Sequence, residues 1–269
     1  MLRLKPLATL TAGLCAATFA APPNALANTL PFTETFTDGF DGDAWVDDTT
    51  DPGYDFAPNL ATDTYDVTLI NGSRSYSTVG TTGIPTDVGT VITTSVEFTL
   101  TDANTSTTRL GFVLLADSDN IEGPGSDPNS IIAYISEPGG AVPPVFVIRD
   151  LETFNADIGP DFTTLDQALT DESYLLEAVT TIVDGGVETT MTLTNLTTLE
   201  SETADLAIAA AIPTGGFVGL HTDKNSSGPA STIAFDNYSV SVSVIPEPTS
   251  ALLFTAGLSL VIRRRRHSA

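Results

Sequence analysis

The chain has 269 residues, 34 acidic and 10 basic side chains, a formal net charge of −24 and 41% hydrophobic residues. The excess of negative charge excludes nucleic acid as a natural partner, because phosphate is repelled, and the apolar content excludes a wholly disordered chain. The single cysteine, Cys15, lies in an N-terminal leader, so disulfides, thiol catalysis and cysteine metal sites are excluded from everything beyond it.

Residues 1–27 read as a secretory signal peptide. Arg3 and Lys5 give a basic start, residues 7–21 are apolar, and Ala25-Leu26-Ala27 is a small-x-small cleavage site, which places the mature start near Asn28. Leu14 precedes Cys15 where a lipid-attachment signal needs a small residue, so lipidation is not expected there. Residues 28–244 form the body. Its basic residues are Arg74, Arg109, Arg149 and Lys224; these four against 33 acidic residues leave a formal charge of −29. Such charge keeps an exported protein soluble, argues against binding polyanions, and makes cation binding between neighbouring carboxylates an expectation.

Along the body, Phe32, Glu34 and Phe36 share one face at period two. Val96, Phe98 and Leu100 alternate with Glu97, Thr99 and Thr101, predicting a strand with one wet face. Residues 110–116, 130–135, 145–148 and 174–183 are more continuously apolar, as central strands of a two-sheet core are. Met191 and Leu193 alternate with threonines, and Tyr238, Val240, Val242 and Val244 with serines. Turn signals stand at Asn71-Gly72, Pro138-Gly139-Gly140, Asp184-Gly185-Gly186 and Gly215-Gly216, and residues 179–195 are the clearest hairpin. Helical periodicity is missing from every long stretch; residues 164–169 predict one short helical turn, and the acidic segment 117–122 reads as a solvated loop. About a dozen strands in one domain predict an all-β fold, a two-sheet antiparallel β-sandwich of jelly-roll type.

The ends of the body carry a resemblance. Phe36-Thr37-Asp38-Gly39-Phe40-Asp41 followed by Trp45, and Gly216-Phe217-Val218-Gly219-Leu220 followed by Phe235-Asp236-Asn237-Tyr238-Ser239-Val240, resemble the opening and closing of concanavalin-like (laminin-G-like) sandwiches. That resemblance implies that the first and last strands lie together. Ile233 and Phe235 have one parity and Tyr238, Val240 and Val242 the other, which predicts a bulge at Asp236-Asn237. A carboxylate at Glu34 among core aromatics is costly unless paired or coordinated. If the end strands pair, Glu34 and Asp236 meet, and their hard oxygens suit Ca²⁺. The resemblance implies a structural calcium near the termini, with Asp38 or Asp41 as further ligands; the alternative is that Asp38-Gly39 and Asp41-Gly42 are ordinary turns and Glu34 points out of a frayed strand.

Catalytic signatures are scarce. The sequence has no Gly-x-Ser-x-Gly elbow to serve the body's one histidine, His221, no H-E-x-x-H zinc motif and no phosphate-cradling glycine loop. The Glu-x-Asp-x-x-Glu run of sandwich glycosidases is missing, and Glu97 and Glu177 read as isolated, outward carboxylates. Trp45 is expected to cap the core, while Tyr54, Tyr65 and Tyr76 sit among polar residues and are expected to be exposed.

Beyond the body, residues 245–269 hold Pro246-Glu247-Pro248, an apolar run over 251–262, and Arg263, Arg264, Arg265 and Arg266. The prolines keep the first part extended. The 12 apolar residues make a marginal membrane helix, and the arginines stay on the cytoplasmic side. This order closely resembles the PEP-CTERM sorting tail of Gram-negative bacteria. The resemblance implies an exosortase-type membrane protease as partner, processing near Pro246-Glu247-Pro248, and delivery to the cell surface or an extracellular polysaccharide matrix. The expected function is a non-catalytic exported protein whose sandwich binds glycan, marked by a groove with exposed aromatics and no carboxylate pair. The alternatives are a secreted polysaccharide hydrolase or lyase, marked by a groove with two carboxylates, and a matrix filler without ligand, marked by a flat Thr/Ser face.

Overall fold

The computed structural model describes residues 28–36, 45–48, 54–59, 61–70, 73–82, 84–101, 108–118, 129–137, 143–165, 169, 172–224 and 230–244. The expected signal peptide at 1–27 and the expected sorting tail at 245–269, with Pro246, Glu247, Pro248 and Arg263 to Arg266, lie outside them. Among the described residues every element is a strand. In chain order these are β1 (Asn28–Thr29), β2 (Phe32–Glu34), β3 (Trp45–Asp48), β4 (Tyr54–Asn59), β5 (Thr64–Leu69), β6 (Ser73–Thr82), β7 (Thr90–Thr101) and β8 (Thr108–Ala116). Then come β9 (Ser130–Glu137), β10 (Val145–Asp150), β11 (Ala156–Asp161), β12 (Ser173–Val183), β13 (Gly186–Asn195), β14 (Ser201–Ala209), β15 (Phe217–Lys224) and β16 (Ser231–Val244).

They form two sheets. Sheet I runs β1-β6-β15-β8-β9-β10-β11, with β3 also on β6; sheet II runs β14-β13-β12-β7-β16-β5-β4, with β2 also on β16. All pairs are antiparallel except the short β1–β6 pair. The expected two-sheet antiparallel sandwich is therefore what the chain forms.

The inner faces make the main core. Strand β7 alternates buried and half-buried positions over almost its whole length, and its inward Ile92, Val96, Phe98 and Leu100 are each no more than 2% exposed. Each such side chain contributes roughly 1.5–3 kcal/mol by leaving water. The hairpin at 179–195 forms as expected, with Val183 opposite Gly186 and Gly185 at φ 79°, a conformation natural to glycine. Trp45 joins the core rim, its ring 5.9 Å from Phe36 and 5.3 Å from Tyr238.

Two expectations change, and a third is described only in part. The apolar runs of β8, β9 and β10 are continuous because both their faces are buried. Leu110, Phe112, Ile131, Ala133, Phe146 and Ile148 point into the main core, whereas Val113, Ile132, Tyr134 and Val147 join Tyr76 and Leu151 in a second cluster on the outer face of sheet I. Tyr65 and Tyr76 are therefore not exposed: Tyr65 is 0% and Tyr76 3% accessible, one on the inner face of β5, the other in that outer cluster. Of the helical turn expected at 164–169, residues 166–168 lie outside the described residues; Thr164 and Leu165 lie in a bend, where the Glu202 carboxylate takes the backbone N–H groups of Thr163, Thr164 and Leu165. Partial burial pushes the Glu202 carboxyl up, but these three donors and the Thr164 hydroxyl outweigh it, so its pKa ends below the usual value.

Candidate functional site

The outer face of sheet II is set by its strand alternation, and it is polar. Its hydroxyls bond one another across strands: Ser95 with Ser239 at 2.7 Å, Thr99 with Ser173 at 3.2 Å, Thr192 with Thr203 at 3.1 Å and Thr194 with Ser201 at 2.9 Å. At one edge this flat face becomes a groove. The last strand of sheet I, β11, packs on the last strand of sheet II, β14, and covers its free backbone. The Asp157 carboxylate accepts the Ala207 N–H at 2.9 Å, and the Asn155 amide donates to the Ala209 carbonyl at 3.0 Å. These side chains do what a neighbouring strand would otherwise do for an edge.

The groove between them has a volume of about 390 Å³, within the usual range for small-molecule sites. Register fixes its floor as two rows. Val179, Thr190 and Asp205 stand side by side on β12, β13 and β14, and Thr181, Glu188 and Ala207 form the next row. Asp157 closes one end. The Thr190 hydroxyl donates to Asp205 at 2.6 Å, which orients that carboxylate. Glu188 and Asp205 are exposed diagonal neighbours on one face, and Val179 is 41% exposed beside them. The groove thus presents carboxylate acceptors, threonine hydroxyls and a small apolar surface together. That set suits a ligand rich in hydroxyl groups with aliphatic C–H faces.

The residues proposed from sequence fall elsewhere. Glu34 is buried, opposite Tyr238, and its Oε1 accepts the Phe36 N–H at 2.7 Å. The end strands pair as expected, and the bulge lies between Asp236 and Ser239 with Asn237 at φ 50°. That bulge is why Glu34 and Asp236 do not meet. Asp236 pairs with Glu97 and lines a shallow outer recess with Thr99 and Ser173, its carboxylate accepting the Asn237 N–H at 2.7 Å. An ion shared by Glu34 and Asp236 does not fit this arrangement. Asp38 and Asp41 lie outside the described residues, and among the described residues no three acidic, histidine or cysteine side chains gather as a metal site. Asp117, expected in a solvated loop, instead accepts the N–H groups of Thr214 and Gly215 and holds the turn before β15.

The sequence carried no signal for the groove. Its carboxylates come from three strands: register brings Glu188 and Asp205 together, and the packing of β11 on β14 adds Asp157. Asp157 sits in a segment without apolar alternation, for which the sequence predicts no strand.

No protein-family model matches the chain, and no curated protein sequence does either. Solved structures do. The peanut lectin, solved with a nine-residue peptide, is similar with a TM-score of 0.50 at 10% identity, over 80% of this chain and 99% of its own. The body has a legume-lectin-like fold. Two further legume-lectin-like structures are the Lotus tetragonolobus seed lectin, with a TM-score of 0.49 at 10% identity over 75% of this chain and 93% of its own, and lectin I-B4 from Griffonia simplicifolia, at 0.49 and 10% over 79% and 100%. At this identity the likeness is one of fold.

Proposed function

We propose that the body is a non-catalytic glycan-binding sandwich. It is exported by the leader 1–27 and carried by the 245–269 tail to the cell surface or an extracellular polysaccharide matrix, with an exosortase-type protease acting near Pro246-Glu247-Pro248. Fold likeness names no ligand; the groove carries the proposal. Asp157, Glu188 and Asp205 accept sugar hydroxyls there, and Val179 and Ala207 meet the C–H face of the ring. Its negative charge selects neutral sugars. The groove departs from the mark expected of a binding site, since no aromatic residue lines it and Glu188 and Asp205 both face it. Hydrolysis is still disfavoured, because both carboxylates are exposed and lack the apolar enclosure that a general acid needs. The hydroxyl face gives one observation in favour of a matrix filler: its Ser and Thr side chains satisfy one another in pairs.

A panel of immobilised polysaccharides, scored for retention and for released oligosaccharide, separates these readings. Retention without release is expected; release identifies a hydrolase or lyase, and no retention leaves the filler. Sorting is tested by intact mass of the native protein, which should lack Arg263 to Arg266; peptides running from Pro246 through Ala251 in the surface fraction would refute it.

A further inference from the structure

The outer face of sheet I, on the far side of the sandwich from the hydroxyl face, concentrates what the rest of the body lacks. Among only four basic residues in a body of charge −29, Arg109 on β8 and Arg149 on β10 line one recess. Between them β9 places Tyr134, with the Arg109 guanidinium 5.7 Å from its ring centre. His221 on β15 stacks on Tyr76 at 4.9 Å and meets Tyr134 edge-on at 5.3 Å. The two rings reach each other because Gly111, opposite both in register, has no side chain to separate them.

The charges in this recess do not cancel. Arg109 pairs with Asp223 at 2.7 Å, and Asp223 is 5% exposed. The Arg149 side chain has no hydrogen bond or ion pair among the described residues, and its buried Nε, like that of Arg109, has no acceptor there. A desolvated guanidinium without an acceptor is costly. In so acidic a body, one positive charge held half-buried and uncompensated is suited to an anion. The tyrosine and histidine rings are 2–3% exposed, so they form the floor and do not stack on a sugar. The recess itself holds about 10 Å³, room for one water. A ligand can therefore seat one oxygen between the two arginines, with the rest of its group at the mouth of the recess.

We infer that this recess binds a carboxylate, the acid group of a uronic-acid residue, with Arg149 and the free edge of Arg109 as its donors. A guanidinium matches a carboxylate with two parallel hydrogen bonds. The repulsion that the acidic body exerts on a polyanion favours a lone acidic residue on an otherwise neutral chain. That the carboxylate belongs to a sugar rests on the glycan-binding reading; that the recess takes a carboxylate does not.

The test is a titration of the intact protein in mild detergent, followed by the imidazole signals of His221, which a His267→Gln variant separates from those of the tail. Glucuronate should shift the His221 signals to saturation; glucose and sulfate should not, and acetate should bind more weakly than glucuronate. Arg149→Gln should weaken glucuronate binding roughly tenfold or more. Arg149→Lys, which keeps the charge but loses the fork, should weaken it less. Neither variant should melt below wild type, since no hydrogen bond of the Arg149 side chain is lost, and both should keep the retention of neutral glycan, while Asp205→Asn should keep glucuronate binding. An unmoved His221, an equal response to glucose, or unchanged affinity in Arg149→Gln would overturn the carboxylate site. Acetate binding as tightly as glucuronate would overturn the sugar.

Discussion

Gly111 is where the second cluster on sheet I is most sensitive. A Cβ added there would lie 2.2 Å from the Ala133 carbonyl oxygen and 2.5 Å from the Tyr134 Cα, roughly 1 Å inside ordinary contact. Both atoms are backbone of β9, which is hydrogen-bonded on its other edge to β10 and has no room to swing away. Overpacking of this kind costs about 1–3 kcal/mol, and loss of the His221–Tyr134 contact adds about 0.5–1.5 kcal/mol. Gly111→Ala is therefore expected to destabilise the body by about 2–4 kcal/mol, a fall of roughly 5–15 °C in melting temperature for a domain of this size. Two substitutions calibrate the value. At Gly80 the nearest atom to a new Cβ is the Phe217 ring at 3.4 Å, so Gly80→Ala should be close to neutral; at Gly185 nothing is within 4 Å but φ is 79°, so Gly185→Ala should cost about 1 kcal/mol through the backbone alone. Thermal unfolding followed by far-ultraviolet circular dichroism measures all three. A Gly111→Ala protein melting with Gly80→Ala would refute the close approach of β8 and β9.

Three further outcomes follow from other buried groups. The Tyr238 hydroxyl is buried without a hydrogen bond among the described residues, and burial pushes its phenol well above the usual range; Tyr238→Phe should raise stability by about 1 kcal/mol, and a loss of that size in chemical denaturation would refute this. Lys224 is 0% exposed, donates to Ser231 at 3.0 Å, has its pKa lowered by desolvation and is the only lysine in residues 28–244; an amine-acylating reagent should therefore leave it unlabelled in the native body and label it only after unfolding, as read by peptide mass. Glu202 has a folded-state pKa below its usual 4.5, so its contribution is complete above that pH and is lost as pH falls through the lowered value; Glu202→Gln should melt below wild type at neutral pH, with the gap closing in acid, and a gap that persists in acid would refute the assignment.

The sandwich was legible wherever one sheet face is wet. Strand β7, the 179–195 hairpin and the parity flip before Tyr238 all announce themselves by alternation, and each forms as read. Legibility fails where both faces are buried. In β8 to β10 alternation vanishes, so neither the second cluster nor the burial of Tyr76 and His221 was visible from sequence. The calcium expectation rested on pairing the end strands, which they do, but the same bulge that satisfies the apolar pattern turns Asp236 outward. The groove and the arginine recess escaped for a shared reason. Their residues stand far apart in sequence: strand order makes Arg109 and Asp223 neighbours, and the packing of β11 on β14 brings Asp157 to Asp205.

The central claim, that the sandwich holds a glycan in the groove beneath Asp157, is tested most directly by the dissociation constant of the best-retained polysaccharide fragment for Asp205→Asn against wild type. Removing one charged acceptor of sugar hydroxyls should weaken binding roughly tenfold or more, with the melting temperature unchanged because Asp205 is exposed. Equal affinity in the two proteins would contradict it.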